Sequence, residues 1–302
     1  MRVLMRELWI TLGILAATQS ALCVCLQPAM PPGQLVREVV YNELNDHERH
    51  GYWRYWVERR SQAGTRVEEQ VETADGPIAR LVLSNGRPLT PEAQRQENER
   101  LQHLLDSPDE QARHLKQYDD DEERIGRILA LLPDAFVYEY DGEDNGCYRL
   151  RFHPNPNYSV HSIEARIFHA MSGTLWVDAR AKRLARLEGR VDDNVDFGFG
   201  ILGRLYKGGW FRLVRTQVSA TDWKTESLEV HMNIRALLVK TFARETSEMR
   251  GGFVPVFAGI HLAQGLALLN QSQAQAEAQP RSPSRTGVGS ALVAPAALAM
   301  RP

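Results

Sequence analysis

The chain has 302 residues with 36 basic and 38 acidic side chains, a formal net charge of −2. That balance gives no electrostatic reason to expect nucleic acid or an anionic membrane surface as partner. At 43% hydrophobic and 25% charged residues, the composition is that of a globular chain, neither fibrous nor wholly disordered.

The chain begins "MRVLMRELWITLGILAATQSALCVCLQPAMPP". Arg2 and Arg6 precede an apolar run from Leu8 to Ala17, and small residues follow, which is the layout of a secretory signal. Residues 1–29 are therefore expected to be a leader cleaved between Ala21 and Met30, with export to the periplasm. Thr18, Gln19 and Ser20 stop the apolar run short of the roughly 20 residues of a membrane span. An uncleaved N-terminal anchor and acylation at Cys25 are the alternatives, the latter opposed by bulky Val24. Cleavage would remove Cys23 and Cys25 and leave Cys147 alone, so no intramolecular disulfide is expected.

A folded domain is expected over residues 34–269. Leu35, Val36, Val39, Val40 and Leu44 recur at helical spacing. "GYWRYWVERR", "TRVEEQVETADG" and "PIARLVLSNGRPL" then read as three antiparallel strands separated by turn residues. A helical insertion occupies about 90–132. Thr90 before Pro91 and Ser107 before Pro108 are N-cap signals, the second with Glu110 completing a capping box. Leu101, Leu104 and Leu105 line the first helix; Ala112, Leu115, Ile125, Ile128 and Leu132 line the second. Asp119 to Arg124 form a solvated helical surface, because adjacent carboxylates on a helix diverge.

The segment "AFVYEYDGEDNGCYRLRF" predicts a hairpin that pairs Phe136 with Phe152, Tyr138 with Leu150 and Tyr140 with Tyr148 on one apolar face. Glu139 opposite Arg149 and Val137 opposite Arg151 form the other face, with Asp141-Gly142 and Asn145-Gly146 in the turn. "SGTLWVDARAKRLARLEG" predicts a second hairpin, with Leu175 opposite Leu187, Val177 opposite Ala185 and Trp176 opposite Arg186. Long strands follow at Phe211–Ala220, through Leu228, Val230, Met232 and Ile234, and from Leu237 to Thr246. The fold class is α+β, dominated by one antiparallel sheet. From Asn270 the chain is rich in Gln, Ala, Pro and Ser without aromatics, so residues 270–302 are expected to be a disordered tail.

Gly198, Gly200 and Gly203 make a G-x-G-x-x-G, yet an alternating strand and an acidic stretch precede it and only "ILGRLYK" separates it from Gly208-Gly209. No helix fits there to hold a pyrophosphate, so the segment is expected to be an apolar connection with one helical turn and no nucleotide. "DDNVDFG" from Asp192 has Phe197 where a calcium loop needs Gly and Gly203 where it needs Glu. His47 and His50 are three apart rather than four and lack a third ligand. His153, His161 and His169 are scattered, no G-x-S-x-G occurs, and Cys147 has no marked basic partner. No metal, cofactor or catalytic constellation is expected, which favours a binding protein over an enzyme.

The order of elements, with "GTLWVDARAKRLARLEG" as its most specific piece, resembles the lipoprotein-carrier superfamily from about Tyr52 to Glu248. That group includes periplasmic lipoprotein localisation factors and related lipid-binding lipoproteins. The resemblance implies a curved half-barrel whose concave apolar face, covered by helices, holds acyl chains. The residues expected to face such a cavity are Phe136, Tyr138, Tyr140, Tyr148, Leu150 and Phe152 with Leu228, Val230, Met232 and Ile234. The expected partner is a lipid acyl chain or lipoprotein. The alternative is an envelope regulatory or scaffold protein that binds another envelope protein through the same fold without transporting lipid.

Overall fold

The computed structural model describes residues 30–45, 51–159, 162–197, 203–236 and 240–278. The expected leader, His47, His50, His161, Gly198, Gly200, Leu237 and residues 279–302 lie outside the described residues. The fold is an α+β half-barrel: one large antiparallel sheet, curved and not closed, with helices on both faces.

Helix α1 (Pro32–Leu44) buries the predicted stripe of Leu35, Val36, Val39 and Val40. Strands β1 (Tyr52–Ser61), β2 (Gly64–Val71) and β3 (Ile78–Ser84) form the expected three-stranded meander, with a short β4 (Arg87–Pro88) after it. Helix α2 (Pro91–Asp106) starts at Thr90, whose side chain accepts from the Ala93 N–H, and α3 (Pro108–Ala135) starts at Ser107, which accepts from the Glu110 N–H. Both caps satisfy backbone donors that the first helical turn leaves unpaired.

Strands β5 (Phe136–Asp144) and β6 (Cys147–Pro154) make the first hairpin. After α4 (Ile163–Phe168), β7 (Met171–Asp178) and β8 (Leu184–Val191) make the second. The short β9 (Val195–Phe197) and β10 (Gly203–Leu205) precede the long β11 (Trp210–Gln217), β12 (Trp223–Ala236) and β13 (Lys240–Val256). Across the sheet the order is β4-β3-β2-β1-β13-β12-β11-β8-β7-β6-β5, with β10 on β12 and β9 on β10. Helix α5 (Leu262–Ala278) closes the described chain.

Both hairpin registers differ from expectation for identifiable reasons. Asn145 and Gly146 alone make the turn of the first, with φ of 48° and 78°, the left-handed pair of a two-residue connection. Asp141 and Gly142 instead form a bulge opposite Arg149, so Tyr138 pairs with Phe152, Tyr140 with Leu150 and Val137 with His153. Glu139 accordingly faces Arg151 rather than Arg149. The displacement is by an even number of residues, so the aromatic face is preserved. In the second hairpin Leu175–Leu187 and Trp176–Arg186 pair as expected, but a bulge sets Val177 opposite Leu184 instead of Ala185.

Two further expectations are corrected. Gly203–Leu205 is a strand paired with both β9 and β12, not a helical turn, because its backbone N–H and C=O groups find partners on both neighbours. The stretch from Asn270 to Ala278 is helical, not tail: Leu262, Leu266 and Leu269 anchor α5 against Val71, Ile78 and Leu101, and its polar continuation is stabilised by Arg80.

The two faces have different covers. Through clean pairing, Leu187, Leu213, Leu228, Glu248 and Arg59 lie side by side on one face. On that concave face α3, whose 28 residues span about 42 Å, runs from one side of the sheet to the other. Near its start His114 and Tyr118 close over Gly76 in the β2–β3 turn, where φ is +90° and an added Cβ would lie 3.2 Å from each. Near its end Leu129, Leu132 and Ala135 join the main core with α1 and β5 to β8. Helix α5 packs on the opposite face, where Gly265 approaches Ile78 and Val71 too closely for a side chain.

Candidate functional site

The concave face is divided by chemistry. Beneath the second half of α3, a cavity of about 230 Å³ is lined by apolar side chains from seven elements. Ile125, Ile128, Leu129 and Leu132 of α3 form the roof and Phe168 of α4 a side. Phe136, Tyr138, Phe152, Met171, Leu175, Leu184, Leu187, Phe211 and Leu213 form the sheet wall. Tyr138 brings one hydroxyl, which donates to the Leu132 carbonyl at 2.7 Å, so it demands nothing of the cavity. Burial pushes its pKa above the ordinary tyrosine value, and the nearby Asp134 carboxylate adds to this.

Room for the cavity comes from two glycines. Phe152, Gly173, Gly189 and Phe211 are successive partners across four strands. A Cβ on Gly173 would sit 2.7 Å from the Phe152 ring, and one on Gly189 would sit 2.4 Å from the Phe211 ring. The two rings therefore lean inward over the glycines. Phe136 meets Phe152 edge-on at 4.8 Å between centroids and Phe168 at 5.2 Å, which stiffens that end. Ile125, expected to be a buried helix residue, is 52% exposed and marks where the cavity opens to solvent.

Toward β1 and β2 the same face turns polar. Arg59 donates to Glu248 at 2.9 Å and pairs with Glu68, Arg250 donates to Glu248 at 2.6 Å, and Lys224 bridges both oxygens of Glu72 at 2.8 Å. Burial would raise the Glu248 carboxyl, but Arg250 and Arg59 outweigh it and hold it below the usual range. Burial together with the Glu72 charge pushes the Tyr55 hydroxyl upward. An acyl chain laid here would strip water from a committed ionic network, so this half of the groove is closed to apolar ligands.

Of the residues expected to face a cavity, Phe136, Tyr138 and Phe152 line it. Leu150 is fully buried beneath the same wall, and Tyr140 and Tyr148 pack beside it, 6.1 Å apart, with the Tyr140 hydroxyl on the Met30 carbonyl. Met232 and Ile234 pack on the edge of that core. Leu228 and Val230 are not among the cavity lining; they lie between Leu213 and Phe211, which line it, and Glu248 and Thr246 on the next strand. Sequence reasoning missed Leu129, Phe168, Met171 and Leu184, and it placed Leu175, Leu187, Phe211 and Leu213 in strands without assigning them to the cavity. Alternation along β11 marks the last two, whereas nothing local marks Phe168.

Among the described residues no cluster of three potential metal ligands occurs. The calcium-like positions are spent on local bonds: Asp192 accepts from Arg190, Asn194 from the Lys207 N–H and Asp196 from Arg204. Burial, then Asp178 and Asp144, raise the Cys147 thiol pKa, which is opposite to the activation of a nucleophile. No described helix is long and apolar enough to cross a membrane.

On the convex face, above the same two glycines, a second groove of about 510 Å³ is lined by Glu139, Arg151, Glu188, Arg190, Trp210 and Arg212 among others. Trp210 is 40% exposed and stacks on His231 at 6.1 Å.

No family model matches the chain, and no curated protein matches it. Among solved structures it is similar to a DUF1329 family protein from Desulfovibrio piger, at 11% identity and a TM-score of 0.28, over 77% of this chain and 96% of that one.

Proposed function

We propose that the protein is an exported, non-catalytic binding protein of the cell envelope that shields an acyl chain, free or attached to a lipidated partner, beneath α3. The observation that carries this is the cavity itself: its wall and roof are apolar, its one hydroxyl is satisfied within the protein, and it opens past Ile125. A dry cavity of about 150 Å³ is enough to admit benzene. The volume of about 230 Å³ suits one end of a single chain rather than a whole lipid. Export rests on the layout of residues 2–20, and the resemblance to lipoprotein carriers agrees with both parts.

The test is a titration of the purified mature protein with a fluorescent fatty acid, alongside mass spectrometry of lipids that co-purify from the envelope. Saturable binding at one site per chain supports the proposal; absence of both binding and co-purified lipid refutes it. The second reading, a protein-binding regulator or scaffold, is favoured by the convex groove with its exposed Trp210. That reading requires a partner captured in wild type and lost with Trp210→Ala.

A further inference from the structure

On the convex side, far from the acyl-chain cavity in the sheet order, α2 and α5 leave a recess of about 350 Å³ over β3. Asn98 and Gln102 of α2 face Asn270 and Gln273 of α5 across it, and Arg80 lies at its floor. Arg80 is the one charged residue in the lining and is 6% exposed. Its Nη1 donates to Gln273 Oε1 at 2.8 Å and its Nη2 to Asn270 Oδ1 at 2.6 Å. Its Nε is buried without any hydrogen-bond acceptor.

Both nearby carboxylates are shared with other arginines. Glu69, the cross-strand partner of Arg80, is 3.7 Å from Arg54. Glu97 is held by Arg100 at 2.7 and 2.9 Å and by the Leu81 N–H at 2.9 Å. A guanidinium carries five donors and stays charged, so taking it out of water is expensive unless an anion meets it. Two neutral amide oxygens answer only part of that demand. Burial pushes the Arg80 pKa below its ordinary value, and the nearby Glu69 and Glu97 charges offset this only in part.

We propose that the recess binds a small oxyanion, a carboxylate or phosphate group, that accepts from the amide of Asn98 and from the edge of the Arg80 guanidinium that lines the recess. The planar fork of arginine suits the two-oxygen edge of either group, and amide side chains supply donors without adding a competing charge. The volume fits a ligand of a few heavy atoms with room for its hydration.

Calorimetric titration of the mature protein with inorganic phosphate and with acetate, at ionic strength matched by chloride, tests this. Saturable heat with at least one of them, and none with chloride, is expected; the tighter of the two identifies the group. Asn98→Asp sets a carboxylate on an exposed helical position at the mouth of the recess. It should weaken binding at least tenfold while leaving the melting temperature in chloride unchanged. Arg80→Gln should abolish binding, and if it does not fold, Asn98→Asp decides alone. No saturable heat with either anion, or wild-type affinity in Asn98→Asp, overturns the proposal.

Discussion

Arg183 donates from Nε and Nη2 to the two carboxylate oxygens of Glu43, each at 3.0 Å, joining residues 140 positions apart. The Leu184 N–H adds a bond to Oε1 at 3.0 Å, and Arg215 brings a second guanidinium to Oε2. The pair is 9% and 6% exposed at its side chains, so solvent screens it little. Glu43 thus clamps the end of α1 to β8 and β11, at the margin of the core from which the cavity is built.

Replacing Glu43 by Gln leaves two arginines without their anion, and the expected cost is about 3–5 kcal/mol in denaturant melts. The pH dependence has a definite sign. Burial would raise the Glu43 pKa, but Arg215 and Arg183 outweigh it, so the folded value lies below the ordinary one of about 4.3. The stabilisation is complete above the ordinary value and is lost as pH falls through the lowered one. Wild type should therefore lose stability below about pH 4 more steeply than Glu43→Gln. A loss under about 1 kcal/mol in the variant at pH 7 would mean that the apolar stripe of α1 holds it without the clamp.

Ending the chain at Leu269 removes the two amides that accept from Arg80. The guanidinium is uncovered to water at the same time, so the loss is that of two hydrogen bonds, about 1–3 kcal/mol together, which for a domain of this size lowers Tm by about 3–10 °C. An unchanged Tm would show that the second half of α5 contributes nothing to the fold.

How far the sequence revealed this molecule depended on the range of the signal. Period-two alternation and N-cap chemistry are local, so the aromatic face of β5 and β6, the Thr90 and Ser107 caps and the α1 stripe were all legible. Which of two turn-like dipeptides, Asp141-Gly142 or Asn145-Gly146, makes the turn and which makes the bulge depends on pairing with β7, and was not. The cavity is less local still. Its roof comes from α3 and its far wall from Phe211 and Leu213, and no spacing links them to Phe152. Arg80 with Asn270 was invisible because a polar helix end resembles a solvated tail until its partner is known.

The glycine pair gives an ordered prediction. A Cβ on Gly173 would lie 1.9 Å from the Glu188 carbonyl oxygen, a backbone atom, whereas one on Gly189 meets the edge of the Phe211 ring at 2.4 Å. A ring can turn and a paired strand cannot. Gly173→Ala should therefore exceed the roughly 1–3 kcal/mol of ordinary overpacking, and Gly189→Ala should stay within it. Denaturant melts that rank the two in reverse would contradict the idea that the rings, not the strands, yield.

The cavity itself is best tested by filling it. Leu213 lies on its wall and is only partly buried, so Leu213→Phe adds ring volume where the structure has space. The expected result is a stability equal to wild type or higher by up to about 1 kcal/mol, because filling a void is favourable when no neighbour must move. Binding of the fluorescent fatty acid should fall at least tenfold. Phe152→Ala acts oppositely: its ring is 6% exposed and packed on Phe136, so truncation should cost about 3–5 kcal/mol while enlarging the cavity. Glu139→Ala, on the convex face opposite Arg151, should cost under about 1 kcal/mol. Stability and binding are thereby separated, since the filling variant loses ligand without losing stability and the truncation loses stability first. If Leu213→Phe binds fatty acid as wild type does, the chain is not held beneath α3. If it destabilises as much as Phe152→Ala, the space beneath α3 is already occupied by core.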